Sequence, residues 1–368
     1  MTTSTSPNWP YRAAAAFTFT LAMTGCDPHD DAVADDAQDP IDFRNGDGTW
    51  GPGKLNTNFL GEDEAYPLNT IPLVDDPSAS VRLHAVWSTR CVNRTSGKTF
   101  TNGLFYTSGI NGVLGIAVNA GELEPATFKQ YGKPTVTCTV ASNDWIGTVW
   151  GVILKDAQGA ETHHYLMPLE RKLDPHGNPV YRWGVFTGLN LADLFNPTQY
   201  KSTCAEDLDP FGDAHLLREH AYLVADLDVD PASGNFSELP DQLYLACRSG
   251  AVGKAIDWGY APWEWGNDAH ELATRVVRAD YCGSGKSFTK KGNALQVRDQ
   301  LGVNDFAAPA LTDEAAWDLD TSRATCVTLP RDVLLQQDFT AITCGDEVLP
   351  ACSPAAMTGS FFATKLAD

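Results

Sequence analysis

Nine cysteines in 368 residues constrain this chain more than any other feature. Cys26 stands apart, at the end of an apolar run. The other eight are Cys91, Cys138, Cys204, Cys247, Cys282, Cys326, Cys344 and Cys352. In an exported chain an even set reads as four disulfides, because an oxidising compartment pairs thiols that the cytosol would keep reduced. Spacing alone does not select the pairing. It does impose a parity: Cys91, Cys138 and Cys204 precede a domain boundary expected near residue 237 and the other five follow it, so at least one bridge must cross.

The start of the chain points to the same compartment. Arg12 is the only positive charge before the apolar run from Ala13 to Met23, which ends in Thr24-Gly25-Cys26. Residues 1–25 therefore read as a lipoprotein signal peptide, with Cys26 as the lipidated new N-terminus and the membrane contact. No later stretch approaches the roughly 18 apolar residues of a membrane span. The expected location is the bacterial cell envelope, lipid-anchored, periplasmic or at the outer-membrane surface.

Charge excludes one large class of partner. The 47 acidic against 26 basic residues leave a formal charge of -21, which repels nucleic acid. Seven aspartates and two prolines between Asp27 and Asp42 make residues 26–42 an acidic tether that self-repels and stays extended.

The rest predicts an α+β protein, mainly β. Over residues 43–237 the runs VRLHAVW, GVLGIAVN, TVTCTVA, GTVWGVIL, HHYLMPL, VYRWGVF and AYLVADLDV alternate or are β-branched, with turn residues between them. They predict an antiparallel sandwich or a barrel-like domain. Asp174 to Pro179 is composed as a hairpin loop, and Asn190 to Phe195 and His215 to Glu219 as short helical turns. Residues 238–368 predict a smaller disulfide-bonded α+β domain. It holds a helix over Gly250 to Trp258, then a second capped by Asp268 with Glu271 three residues on and ending at Cys282-Gly283. The segments ALQVRD, ATCVTL and ITCG predict short strands.

Between Cys247 and Cys282 lies the most distinctive stretch, opening ACRSGA, passing through WGYAPW and ending Ala279-Asp280-Tyr281-Cys282 before Gly283 and Gly285. It resembles the ADYC domain, a family of exported bacterial proteins named after that tetrapeptide, over residues from about Leu239 to about Cys352. The resemblance implies a compartment and a domain type and carries no reaction with it.

Motifs that could carry chemistry are incomplete. His270-Glu271 begins a zinc-protease pattern, but Thr274 stands where the second imidazole must be. Gly283 to Ser287 imitates the end of a phosphate loop, yet Asp280 replaces the first glycine and the loop follows a helix. Cys282 with Asp280 and His270 is the one arrangement for a thiol nucleophile and base, but twelve residues on a helix turn His270 to another face and a free thiol breaks the even count. His163 with His164, and His215 with His220, have the wrong spacing to share a metal. No metal or cofactor is expected. Trp258, Tyr260, Trp263 and Trp265 crowd into eight residues, a spacing too irregular for one helical face. They are either core or an exposed platform for a glycan or another envelope protein, with Glu264, Asn267 and Asp268 supplying hydrogen bonds. The function expected is a non-catalytic binding or structural module. The alternative is an extracytoplasmic hydrolase acting on peptidoglycan or peptide.

Overall fold

The computed structural model describes Thr49–Trp50 and residues 70–366 except 74–77, 89–90, 94–98, 101–102, 107–115, 131–132, 187–193, 195, 205–218, 231, 249, 289–292, 307–310 and 332–340. Residues 1–25, the tether, Cys26, the side chain of Cys91 and His215 lie outside the described residues.

In chain order come β1 (Thr49–Trp50), β2 (Thr70–Pro72), β3 (Val81–Ser88), β4 (Cys91–Asn93), β5 (Thr99–Phe100), β6 (Gly103–Tyr106), β7 (Val118–Asn119) and β8 (Glu122–Leu123). Next are β9 (Ala126–Gln130), β10 (Lys133–Val140), β11 (Val149–Lys155), β12 (Glu161–Leu173), β13 (Pro179–Phe186), β14 (Lys201–Ser202), β15 (His220–Val229) and β16 (Phe236–Cys247). Two helices follow, α1 (Ala251–Asp257) and α2 (Pro262–Arg278). The chain closes with β17 (Asn293–Asp299), β18 (Thr312–Asp318), β19 (Arg323–Val327), β20 (Thr343–Cys344), β21 (Glu347–Val348), α3 (Pro354–Gly359) and β22 (Phe362–Leu366).

The protein is mostly β and its strands pair antiparallel. Thirteen strands form one large sheet, in the order β2-β16-β15-β13-β12-β11-β3-β6-β9-β10-β4-β5 with β14 on β13. This path has two ends, so the barrel alternative is corrected: among the described residues the sheet does not close. It wraps over its own core instead, helped by register shifts in the β9–β10, β3–β11, β12–β13 and β15–β16 pairs, each of which bends a strand. Leu83, Trp150, Leu166, Trp183, Leu223 and Leu245 from six strands meet there. The rings of Trp145, Trp150 and Trp183 follow one another there, the first pair tilted and the second edge-to-face, with centroids 5.4 and 5.1 Å apart.

The first half of β15 and the second half of β16, AYLVA and LYLAC, read as near-continuous apolar runs because both of their faces are covered. Ala221, Leu223, Leu245 and Cys247 enter the large core, whereas Tyr222, Val224, Tyr244 and Ala246 meet Val252 and Ile256 of α1. The other side of α1, with Ala251 and Ala255, joins Leu272, Val276 and Val277 of α2 against a five-stranded sheet, β1-β17-β22-β18-β19. The helices thus lie between two sheets. The residues expected to part near 237 lie within one compact unit, Gln38–Asp368, and β16 runs through that position.

Helix ends differ from expectation. Pro262 opens α2 at its first position and the Ala261 cap makes no side-chain bond, so Asp268 is not a cap. At Gly266 (φ 81°, ψ 165°) the helix kinks through a conformation open to glycine alone. It ends at Arg278, four residues before the expected stop, because Ala279 takes the left-handed conformation (φ 52°).

Three bridges are described: Cys204–Cys247, Cys282–Cys344 and Cys326–Cys352. Cys138 is disulfide-bonded as well. The first of these crosses residue 237, as the odd counts require.

Candidate functional site at the ADYC turn

Each letter of the tetrapeptide has a separate structural task. Ala279 reverses the chain out of α2, and the amide of Asp280 bonds back to the Arg275 carbonyl at 2.9 Å. The Asp280 carboxylate is wholly buried. It accepts from Arg275 Nη1 at 2.8 Å and from the amides of Ser284 at 3.0 Å and Gly285 at 2.8 Å. The amides that could have cradled a phosphate are therefore occupied by the protein's own carboxylate, and Lys286 lies over the Phe288 ring at 4.7 Å. Gly285 (φ +81°) is required twice over: a Cβ there would sit 2.1 Å from the Ala232 carbonyl oxygen.

Arg275 is the hub. Its guanidinium reaches Glu271 Oε1 at 2.8 Å, Asn235 Oδ1 at 2.7 Å, the Ser233 carbonyl at 3.3 Å and Ser322 Oγ at 3.2 Å. The second oxygen of Glu271 accepts from the Phe236 amide at 3.0 Å. One cation, only 2 % exposed, thereby ties α2 to the β15–β16 turn, the β18–β19 turn and the ADYC turn. With two carboxylates and three further acceptors around it, the charge is compensated where an unpaired one would be prohibitive.

Tyr281 stacks on Trp317 at 5.4 Å and donates to Glu314 Oε1 at 2.7 Å while accepting from the Arg331 amide at 2.9 Å. Glu314 and Arg331 form a two-point ion pair, 3.0 and 3.1 Å, with neither side chain exposed. Burial, and then the Glu314 charge, push the Tyr281 phenol well above its ordinary pKa, so it stays a neutral donor. Cys282 completes the turn through its bridge to Cys344.

This placement corrects the thiol-nucleophile idea: Cys282 carries no thiolate, and Asp280 is held by three donors. His270 is fully buried on α2, its Nδ1 2.8 Å from the Tyr260 carbonyl. Burial lowers its pKa to about 4. None of its contacts reaches Cys282 or Asp280. Among the described residues no group of His, Cys, Asp and Glu is arranged to hold a metal.

The four aromatic residues do not assemble into one platform. Trp258 and Tyr260 are wholly buried, and the Tyr260 hydroxyl donates to Asp299 at 2.7 Å and accepts from Asn304 at 2.9 Å. Trp263 lies half-buried over Gly121 and joins the core that α1 shares with β15 and β16. Trp265 alone of the four is exposed, at 38 %, its indole N–H fixed to the Gly259 carbonyl at 2.9 Å.

One pairing had no signal in the sequence. His220 is partnered not by a histidine but by Glu170, fifty residues earlier, with Nε2 and Oε2 3.1 Å apart. Its Nδ1 is sealed from solvent and has no hydrogen-bond partner. His163 and His164 alternate outward and inward along β12, as adjacent strand residues must.

Disulfide-bonded antiparallel sheets enclosing two helices, closed by a buried ionic turn, define the class: a covalently braced, mainly β protein whose signature motif is architectural. Residues 184–333 match the family model of the ADYC domain. No curated protein and no solved structure matches the chain. The match begins inside β13, well before the resemblance centred on the Cys247–Cys282 stretch, and ends before Cys344.

Proposed function

We propose that this protein is a bacterial cell-envelope lipoprotein, anchored at Cys26, whose folded part is a non-catalytic binding or structural module. The observation that carries the reading is the fate of the motif: the thiol, carboxylate and imidazole that could have done chemistry are a bridge, a guanidinium partner and a core residue. The cystine bridges suit an oxidising compartment, in keeping with export. Contact with a glycan or another envelope protein then falls to Trp265, with Trp263 behind it.

The alternative, a hydrolase acting on peptidoglycan or peptide, has the His220–Glu170 pair in its favour, since a carboxylate-oriented imidazole is the usual general base. Against it, Nδ1, the nitrogen left to take a proton, is closed to any substrate.

The test is intact-mass analysis of membrane-extracted protein, with a Cys26→Ser control. The reading expects a mature chain beginning at a lipidated Cys26, eight non-titrating core cysteines and release of the Cys26→Ser protein from the membrane. An unmodified leader, or free thiols in the core, would refute it.

A further inference from the structure

The large sheet is joined through a narrow seam. Eight residue pairs link β12 to β13 and eight link β15 to β16. Between them, β13 meets β15 over two pairs only, Tyr181 with Ala221 and Arg182 with His220. The next stretch of the β13 edge is taken by β14 at Gly184 and Val185. So little backbone pairing leaves side chains to hold the halves together. His220 reaches Glu170 across the seam at 3.1 Å, Arg182 Nη1 faces Glu219 at 3.5 Å, and the Tyr222 hydroxyl meets Asp174 Oδ2 at 2.6 Å. The Cys204–Cys247 bridge spans it covalently.

His220 is the imidazole of this set and is buried, 4 % exposed, beside the equally buried Tyr222 and Asp174. With Nε2–H given to Glu170, Nδ1 is a bare lone pair that needs no donor while the ring is neutral. The charged groups around it are Glu170 and Lys172 from β12, Arg182 from β13, Glu219 beside it in the chain, and Arg248 after β16, itself held by Asp257 of α1. Glu170 is shared with Lys172, 3.1 Å away, and is partly in water.

We propose that this seam is an acid-sensitive hinge, closed while His220 is neutral and opened when the ring takes a second proton. That proton creates an N–H at Nδ1 with no acceptor and a positive charge facing Lys172, Arg182 and Arg248, in a place water cannot reach. The open seam hydrates the imidazolium, and the Cys204–Cys247 bridge keeps the halves attached so that closing is reversible. Burial, which outweighs the attraction of Glu170, already sets the ring's pKa below its ordinary 6.5. The open state therefore binds the proton more readily, and closure weakens as pH falls below about 6.5.

The experiment is amide hydrogen exchange on the full-length, oxidised protein at pH 7.5 and pH 5, corrected for intrinsic exchange rates. Peptides covering β13 and the start of β15 are expected to lose about tenfold in protection at pH 5, while β11 and the β15–β16 pairing do not. His220→Gln is expected to abolish this difference. Should that variant fail to fold, the His220 ring is titrated by NMR in the wild type, and the midpoint of seam opening must coincide with it. Equal seam protection at the two pH values, persistence of the acid effect in His220→Gln, or midpoints that differ by more than half a pH unit would overturn the proposal.

Discussion

Replacing Asp280 by alanine removes a fully buried carboxylate that serves three donors at once. The Arg275 guanidinium, 2 % exposed, loses one of its two anions, and the amides of Ser284 and Gly285 lose their acceptor inside the turn. Breaking a buried ion pair from one side costs about 3–5 kcal/mol, and each orphaned donor about 1–3 kcal/mol. Because Glu271 still holds the cation, the lower end of the combined range applies, and the expected loss is about 5 kcal/mol. Asp280→Asn keeps one acceptor oxygen without the charge and should cost about 2 kcal/mol. The assay is denaturant unfolding of the oxidised protein with bridges verified intact, completed as a double-mutant cycle with Arg275→Met. Removing both partners leaves no buried charge from this pair, so the double variant should be more stable than the sum of the single losses predicts. A loss under about 1 kcal/mol for Asp280→Ala, or no coupling with Arg275, would refute the claim that the motif's acid is a structural clamp.

Three further outcomes follow from the same geometry. Gly285→Ala drives a Cβ into the Ala232 carbonyl and should leave little folded protein by circular dichroism, whereas Gly345→Ala, at φ +62° in open space, should cost only about 1–2 kcal/mol in thermal unfolding. Trp258→Ala should cost about 3–5 kcal/mol, while Trp265→Ala should leave unfolding within about 1 kcal/mol and weaken partner capture from envelope extracts. His270 binds its proton less readily folded than unfolded, so stability should fall as pH drops from about 6.5 to about 4. About 3 kcal/mol should be lost over that window, and His270→Leu should flatten the slope in denaturant titrations at several pH values.

Much of the secondary structure was legible because it is local. Alternation in VRLHAVW and VYRWGVF announced β3 and β13, and Asp174 to Asn178 announced the turn between β12 and β13. The even count of sulfurs after Cys26 foresaw the bridges without their pairing. What stayed hidden depends on residues far apart in the chain. Asp280 and Tyr281 gain their roles from Asn235, Glu314, Ser322 and Arg331, and no spacing rule connects those positions. The same holds for His220 and Glu170. Composition could not tell Trp258 from Trp265 either: Trp258 closes α1 inside the core, whereas Trp265 lies in the first turn of α2 at the surface, and only the packing of the two helices separates them. The helix end was misplaced since an alanine, not a glycine, takes the left-handed position.

The last strand has a consequence for how the chain is made. β22 is not an edge: it sits between β17 and β18, so its five residues complete the hydrogen bonding of two strands that lie well before it in the chain. A recombinant fragment cut to the family match, 184–333, would lack that strand and Cys344 together, and should be recovered as an aggregate rather than a miniature of the domain. The small sheet likewise stays in two unjoined pieces until residues 362–366 reach their place between β17 and β18.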